Sequence, residues 1–204
     1  MAGVIVRLIS TRVGESFLLP SPFDHSVKRE DDLVSVFRGV LKQIGSRKIE
    51  RMVLLCHAYA SGGEFVVFMG SVTGKEGVRA ADARATFGLL GGRFASSGRG
   101  IEIQACNVAQ NQGSDPSKVP SVGSGAALCQ AIADAAQTGV MAADRDQPGP
   151  CQEEYHLERF RNAKGLPEEK KVVDRVFDCK ADVWTGQLWL FAPKGQGASQ
   201  VPTP

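Results

Sequence analysis

Strand and helix patterns alternate along this chain from residue 4 to residue 143, and this alternation constrains the fold more than any other sequence feature. Residues 4–9 and 51–56 are short apolar runs, as buried strands are. Between them, residues 31–44 place apolar side chains at steps of three and four, as in an amphipathic helix, and Gly45 follows. Parallel strands joined by crossover helices have this pattern. The sequence therefore predicts an α/β fold, a three-layer sandwich with a mostly parallel sheet and helices on both faces.

The same signals continue along the middle of the chain. Further strands are predicted at residues 64–69, 101–105 and 140–143, and further helices at residues 80–90 and 124–137. Residues 110–121 are polar and include two prolines, so we expect a mobile loop there.

The last sixty residues follow a different pattern. Residues 151–171 are charged and compatible with a helix, whereas residues 171–191 resemble two strands of a C-terminal β-hairpin, joined near Asp182. The tail after Pro193 is rich in Gly, Pro and Ser, which favours disorder. The predicted organisation is one domain over residues 1–193, with its core at 4–144 and an extension at 145–193, followed by a disordered tail at 194–204.

Composition excludes several classes of protein. Hydrophobic residues make up 43% of the 204 residues and charged residues 23%, as in an ordinary soluble globular protein. The net charge is only +2 without a basic stripe, so we expect no nucleic-acid partner. No apolar run reaches the ~20 residues of a membrane helix. The first residues lack a secretory signal pattern, so we expect a cytoplasmic protein, although export without a signal peptide, as for a bacterial effector, stays open. Five widely spaced cysteines indicate reduced thiols.

Two predicted strands are followed by residues with nucleophile and base chemistry. The run at 51–56 leads into His57, and the run at 101–105 leads into Cys106. Parallel neighbours would bring these residues out side by side at the carboxyl edge of the sheet, where ligands bind in open α/β folds. An imidazole beside a thiol forms a nucleophile–base pair. Alternation points Cys56 to the opposite face, and Cys129 lies on an apolar helix, so both are predicted to be core residues.

An apolar block ending in His, followed some fifty residues later by one ending in Gln-Ala-Cys, resembles the caspase-type cysteine peptidases. About half of the chain also resembles caspase-like modules of bacterial proteins. The matching segments are residues 56–58, 62–70, 106–109, 123–137 and 139–144.

This resemblance implies a caspase-like fold in which His57 is the general base and Cys106 is the nucleophile. It also implies an oxyanion hole made by the backbone N–H groups of Ala58 and Cys106. The chain has Ala58 where the family has Gly, and Asn107-Val108 where caspases have Arg-Gly. The substrate preference of caspases is therefore not carried over.

The predicted function is hydrolysis of peptide bonds through a Cys106 thioester, with a protein or peptide as substrate and no cofactor. Asp144 and Asp146 follow the strand at 140–143 and could orient His57 or bind a basic substrate residue, unless they are plain loop carboxylates. No metal site is predicted, because Cys151, His156 and Cys179 lack metal-ligand spacing. Two alternatives stay open: a non-catalytic caspase-like protein-binding module, and a thiol hydrolase or acyltransferase acting on a non-peptide amide or ester.

Overall fold

The computed structural model of the chain describes residues 3–13, 21–111, 116–145, 152–161, 167–177, 184 and 186–202. The chain divides into a larger unit, Met1–Gln147 with Trp184–Pro204, and a smaller unit, Pro148–Val183. The predicted domain limits at residues 144 and 193 are not tested by this division and stay a prediction.

The described residues form the following strands and helices. The strands are β1 Val4–Ser10, β2 Asp24–Val27, β3 Ile49–Leu55, β4 His57–Ser61, β5 Glu64–Val72, β6 Lys75–Val78, β7 Gly100–Gln104, β8 Val140–Ala143, β9 Gln152–Arg161, β10 Pro167–Phe177, β11 Leu188–Phe191 and β12 Ala198–Val201. The helices are α1 Leu33–Ile44, α2 Ala83–Thr86 and α3 Gly125–Ala136. Short 3-10 turns lie at Thr11–Val13, Ala80–Asp82 and Phe87–Leu90.

The larger unit is built on a seven-stranded sheet in the order β12-β11-β8-β7-β3-β1-β2. The neighbours among β2, β1, β3, β7 and β8 are parallel, whereas β11 runs antiparallel to β8 and β12 antiparallel to β11. The predicted α/β class and mostly parallel sheet are therefore confirmed. The predicted strands at 4–9, 51–56, 101–105 and 140–143 all belong to this sheet.

Helix α1 forms where the sequence pattern predicts it. The Asp32 side chain caps its first turn by accepting a hydrogen bond from the Ser35 N–H at 3.1 Å. Leu33, Phe37, Val40 and Ile44 form its buried stripe. The helix ends at Gly45, whose φ of 62° is a backbone conformation that glycine adopts without a steric penalty.

A second, three-stranded sheet has the order β4-β5-β6 and is antiparallel throughout. The strand predicted at residues 64–69 exists, but it belongs to this sheet as part of β5. Its hairpin with β4 turns at Gly62 and Gly63, which both have positive φ. Because β4 begins directly after β3, this hairpin leaves the main sheet at its carboxyl edge.

The two faces of the main sheet bury different kinds of residue. One face, with Val6, Met52 and Ile103, joins the main core together with the apolar side chains of all three helices. The opposite face carries smaller clusters, one of which contains Ile9, Val53 and Leu55. No helix on that opposite face is among the described residues, so the prediction of helices on both faces stays a prediction.

The C-terminal third differs from the sequence prediction. Residues 152–161 form strand β9 rather than a helix, and in the smaller unit β9 pairs antiparallel with β10. The predicted pairing within residues 171–191 is wrong, because β11 lies beside β8 instead; Asp182 is outside the described residues. The tail is not wholly irregular either, since β12 pairs with β11 across a turn closed by the Ala192 N–H and the Gly197 carbonyl at 3.2 Å. Charge and glycine content reflect only the local conformational preference of a segment. Whether these segments form strands depends on pairing with another strand of the chain.

Candidate functional site

Strands β3 and β7 bring the two predicted site residues to one edge of the sheet. The strands are parallel neighbours, and their last pair in register is Leu55 with Gln104. The Cys56 N–H continues the contact by donating to the Gln104 carbonyl at 3.4 Å. His57 and Cys106 each lie two residues beyond that last pair. The predicted neighbourhood of the two strand ends is therefore confirmed.

Side-chain burial separates the residues at this edge into two faces. Cys56, Ala58 and Ala105 are all buried in the core that contains the helices. His57, between two of them, is exposed, and Cys106 is partly exposed. Because successive residues of an extended chain alternate, both potential catalytic residues lie on the face away from that core.

The other described cysteines have a different environment. Burial raises the pKa of the Cys56 thiol, and the charge of the nearby Cys106 raises it further. Burial alone raises the pKa of the Cys129 thiol. The Cys129 Sγ also donates to the Val108 carbonyl at 3.6 Å. Both therefore stay protonated at neutral pH, as their predicted core positions require. Cys151 and Cys179 lie outside the described residues.

A backbone carbonyl is the partner that the structure gives to His57. The His57 Nε2 lies 3.3 Å from the carbonyl oxygen of Arg12, in the 3-10 turn directly after β1. With its proton on Nε2, the ring donates to this carbonyl and presents the Nδ1 lone pair as a base. Sequence reasoning missed Arg12, because the pairing of β1 with β3 that brings its carbonyl here is a tertiary contact.

Of the two acidic candidates, only Asp144 lies among the described residues, and its side chain is hydrogen-bonded to the Gln187 backbone. The Asp144 Oδ1 accepts a hydrogen bond from the Gln187 N–H at 2.9 Å, and the Asp144 N–H donates to the Gln187 carbonyl at 3.2 Å. These bonds fasten the end of β8 to the segment before β11. Asp146 lies outside the described residues, and a role of either carboxylate toward His57 or a substrate stays a prediction.

The chain turns sharply directly after Cys106. Asn107 has a φ of 57°, in the left-handed region that few side chains other than Asn and Asp adopt. Its N–H donates to the Arg145 carbonyl at 3.1 Å, and its Oδ1 accepts from the Gln110 Nε2 at 2.8 Å. Asn107, the residue after Cys106, is thereby fastened to the segment that follows β8. The oxyanion roles of the Ala58 and Cys106 N–H groups stay predictions.

The loop predicted at residues 110–121 is anchored at its base. Asn111 is buried, and its Oδ1 accepts a hydrogen bond from the Ser121 N–H at 2.7 Å. Val119 and Val122 are almost fully exposed. Residues 112–115 are not among the described residues, and the mobility of the loop stays a prediction.

An aromatic surface lies beside His57 on the hairpin of β4 and β5. His57 pairs with Phe68 across the hairpin, and Tyr59 stacks on the Phe68 ring with centroids 4.3 Å apart. The Arg12 guanidinium lies over the same ring, 5.1 Å from its centroid. Arg12 also forms an ion pair with Glu76. One residue thus contacts both the imidazole and the aromatic pair next to it.

The chain matches no protein-family model, and no curated protein matches its sequence. Within the described ranges, no group of three or more His, Cys, Asp or Glu side chains is placed to hold a metal ion. None of the helices in that part of the chain is long and apolar enough to cross a membrane.

Proposed function

We propose that this chain is a caspase-like cysteine peptidase that hydrolyses peptide bonds through His57 and Cys106. The observation that carries the proposal is the pairing of β3 with β7, which delivers both residues to one sheet edge and one face. The order of elements also supports it: His57, a hairpin turning at Gly62 and Gly63, Cys106, helix α3 and strand β8. A caspase-like sandwich, with helices on both faces, belongs to the same proposal.

The proposed reaction begins with transfer of the Cys106 thiol proton to His57. The thiolate attacks the carbonyl carbon of the scissile bond, forming an S–C bond and an oxyanion held by the N–H groups of Ala58 and Cys106. Collapse breaks the C–N bond, and the imidazolium gives its proton to the leaving amine. Water then adds to the thioester with His57 as base, which releases the carboxylic acid and restores the thiol.

The Arg12 carbonyl has a defined role in this scheme. A hydrogen bond from Nε2 to that carbonyl selects the tautomer whose Nδ1 carries the lone pair. It also fixes the orientation of the ring through a neutral backbone group instead of a carboxylate. The carbonyl would also stabilise the imidazolium that forms when the thiol is deprotonated.

The test compares Cys106→Ala with Cys129→Ala, using cleavage of a mixed peptide pool as the readout. We expect Cys106→Ala to abolish cleavage with an unchanged circular dichroism spectrum, and Cys129→Ala to keep it. Turnover retained in Cys106→Ala would remove Cys106 as the nucleophile.

Alkylation separates the alternative functions. Iodoacetamide labelling of Cys106, read by mass spectrometry of its own peptide, should be slowed in His57→Ala and unchanged in the matched variant His25→Gln on strand β2. A labelling rate of Cys106 that is unchanged in His57→Ala would favour the non-catalytic binding module. Labelling that depends on His57 without peptide cleavage would favour a hydrolase or acyltransferase of non-peptide amides or esters.

A further inference from the structure

We propose that Tyr59 forms the binding surface for the substrate residue on the leaving-amine side of the scissile bond, and that this surface selects aromatic or large aliphatic side chains. The inference rests on the proposed peptidase function and deepens it, because it assigns a substrate class to one side of the site.

The first step is the position of Tyr59 relative to the base. Both His57 and Tyr59 lie on β4, two residues apart, so they share a face and are separated by about 7 Å along the strand. Ala58, between them, points into the core. Tyr59 is therefore the first side chain that a substrate meets beyond His57 in this direction.

The second step is the chemistry of peptide cleavage. The protonated base must lie within hydrogen-bond reach of the leaving amine nitrogen, since it delivers the proton that this nitrogen needs. The residue that carries this nitrogen is the first one after the scissile bond. The side chain of this first residue after the scissile bond therefore lies close to His57. Tyr59 is an exposed aromatic residue next to His57 on β4.

The third step is the physical character of the surface. Tyr59 is 50% exposed although its ring stacks on Phe68 with an interplanar angle of 25°. Stacking restricts the ring, so a substrate side chain that packs on its free face loses little additional conformational freedom of the protein. An aromatic or aliphatic group gains both buried area and ring contact at such a site.

The fourth step is the local charge. Arg12 is a cation beside the aromatic pair, and its guanidinium forms an ion pair with Glu76, which also forms one with Arg29 at 2.8 Å. Arg12, Arg29 and Glu76 together keep one net positive charge, and the Arg12 guanidinium is held by Glu76 and lies over the Phe68 ring. The selection of apolar side chains therefore rests on the exposed, stacked Tyr59 ring itself and not on the local charge.

The experiment reads the new amino termini that the protein releases from a proteome-derived peptide pool. For the wild type, we expect Phe, Tyr, Leu and Met to be enriched at the first residue of the released fragments. Tyr59→Phe should keep this enrichment and Tyr59→Ala should lose it. For a matched pair of peptides, Tyr59→Ala should lower kcat/KM about tenfold with Phe at that position and little with Gly there.

Two further arms keep the outcomes distinct. Tyr59→Glu should redirect the preference toward Lys and Arg, and the iodoacetamide reactivity of Cys106 in Tyr59→Phe and Tyr59→Ala should equal that of the wild type. An equal loss for all peptides, an unchanged residue distribution or altered thiol reactivity would overturn the role of Tyr59 alone. The absence of any new amino terminus that depends on Cys106 would overturn the peptidase function, and the inference with it.

Discussion

At the scale of single residues, the same thiol group has different properties at different positions. Cys56 and Cys129 are buried, and burial raises the pKa of both. Cys106 lies just beyond the C-terminal end of β7 and is partly exposed. A thiolate is the reactive form of cysteine, and among these three residues only Cys106 is not buried.

Thiol reactivity should show this contrast directly. In the folded protein at pH 8, we expect iodoacetamide to label Cys106 at least about a hundredfold faster than Cys56 or Cys129, because both buried thiols are protonated and covered. Peptide mass spectrometry over time measures the three rates. In denaturant the rates should converge; a difference that persists there would mean that burial is not its cause.

The raised thiol pKa values also predict how stability depends on pH. Above the ordinary thiol pKa of about 8.5, the unfolded chain loses protons that folded Cys56 and Cys129 retain, so stability falls as pH rises further. Urea unfolding at pH 8 and pH 10 should therefore show a larger loss in the wild type than in Cys129→Ala. An equal loss in both proteins would contradict the assignment to Cys129.

Asn107 provides a test of backbone conformation next to Cys106. Its φ of 57° suits glycine, so Asn107→Gly should cost little, whereas Asn107→Ala should lower the free energy of unfolding by about 1 kcal/mol. If the turn positions Cys106, Asn107→Ala should also reduce peptide cleavage more than Asn107→Gly does. The reverse order in either measurement would show that the left-handed conformation is not what matters.

At the scale of elements, the hairpin of β4 and β5 is joined to the segment that precedes α3. The Phe65 N–H donates to the Gly123 carbonyl at 2.8 Å. Gly123 has a φ of 79°, and a Cβ added there would lie 2.5 Å from the Gly63 carbonyl oxygen. The segment that begins at Cys106 and the hairpin that begins at His57 thus meet again at this contact, where a side chain has no room.

This contact predicts unequal effects for two glycine substitutions. Gly123→Ala combines a disfavoured φ with a steric overlap, so it should destabilise clearly more than Gly74→Ala, whose φ is 77° but whose Cβ would meet no atom within 4 Å. For Gly74→Ala we expect about 1 kcal/mol by urea unfolding. Hydrogen exchange at the Phe65 N–H should accelerate only in Gly123→Ala; equal effects of the two substitutions would refute the close approach.

At the scale of the whole molecule, the two faces of the main sheet are stabilised by different interactions. The face toward the helices buries apolar side chains such as Val6, Met52 and Ile103. The opposite face carries Glu102, fully buried and paired with Arg51 at 2.6 Å and with Arg99 at 2.8 Å. Arg51 lies on β3 and Glu102 on β7, so this ion pair joins the two strands that deliver His57 and Cys106.

Loss of this buried carboxylate should be costly for the entire fold. Glu102→Ala leaves two guanidinium groups without the carboxylate that they share, and we expect about 3–5 kcal/mol of destabilisation by urea unfolding. The double variant Arg51→Met with Glu102→Leu should recover most of the stability, because it removes the buried carboxylate together with Arg51, the more buried of its two partners, while Arg99 is about half exposed. A double variant as unstable as Glu102→Ala would show that the charge is not the origin of the loss.

The sequence by itself determined the elements whose signals are local. Helix α1 and strand β3 follow from apolar spacing and from an uninterrupted apolar run, which are properties of consecutive residues. The same patterns placed His57 and Cys106 directly after predicted strands, whereas their arrival side by side required β3 and β7 to be neighbours, which the structure shows.

Only the tertiary structure decided which strands pair and which backbone groups reach the site. The assignment of β5 to a second sheet, and the pairing of β11 with β8 and β12, depend on contacts between distant parts of the chain. The partner of His57 is the carbonyl of Arg12, a group that every residue possesses and that no sequence motif marks. Local patterns report propensity and burial, whereas pairing and backbone contacts depend on how the whole chain packs.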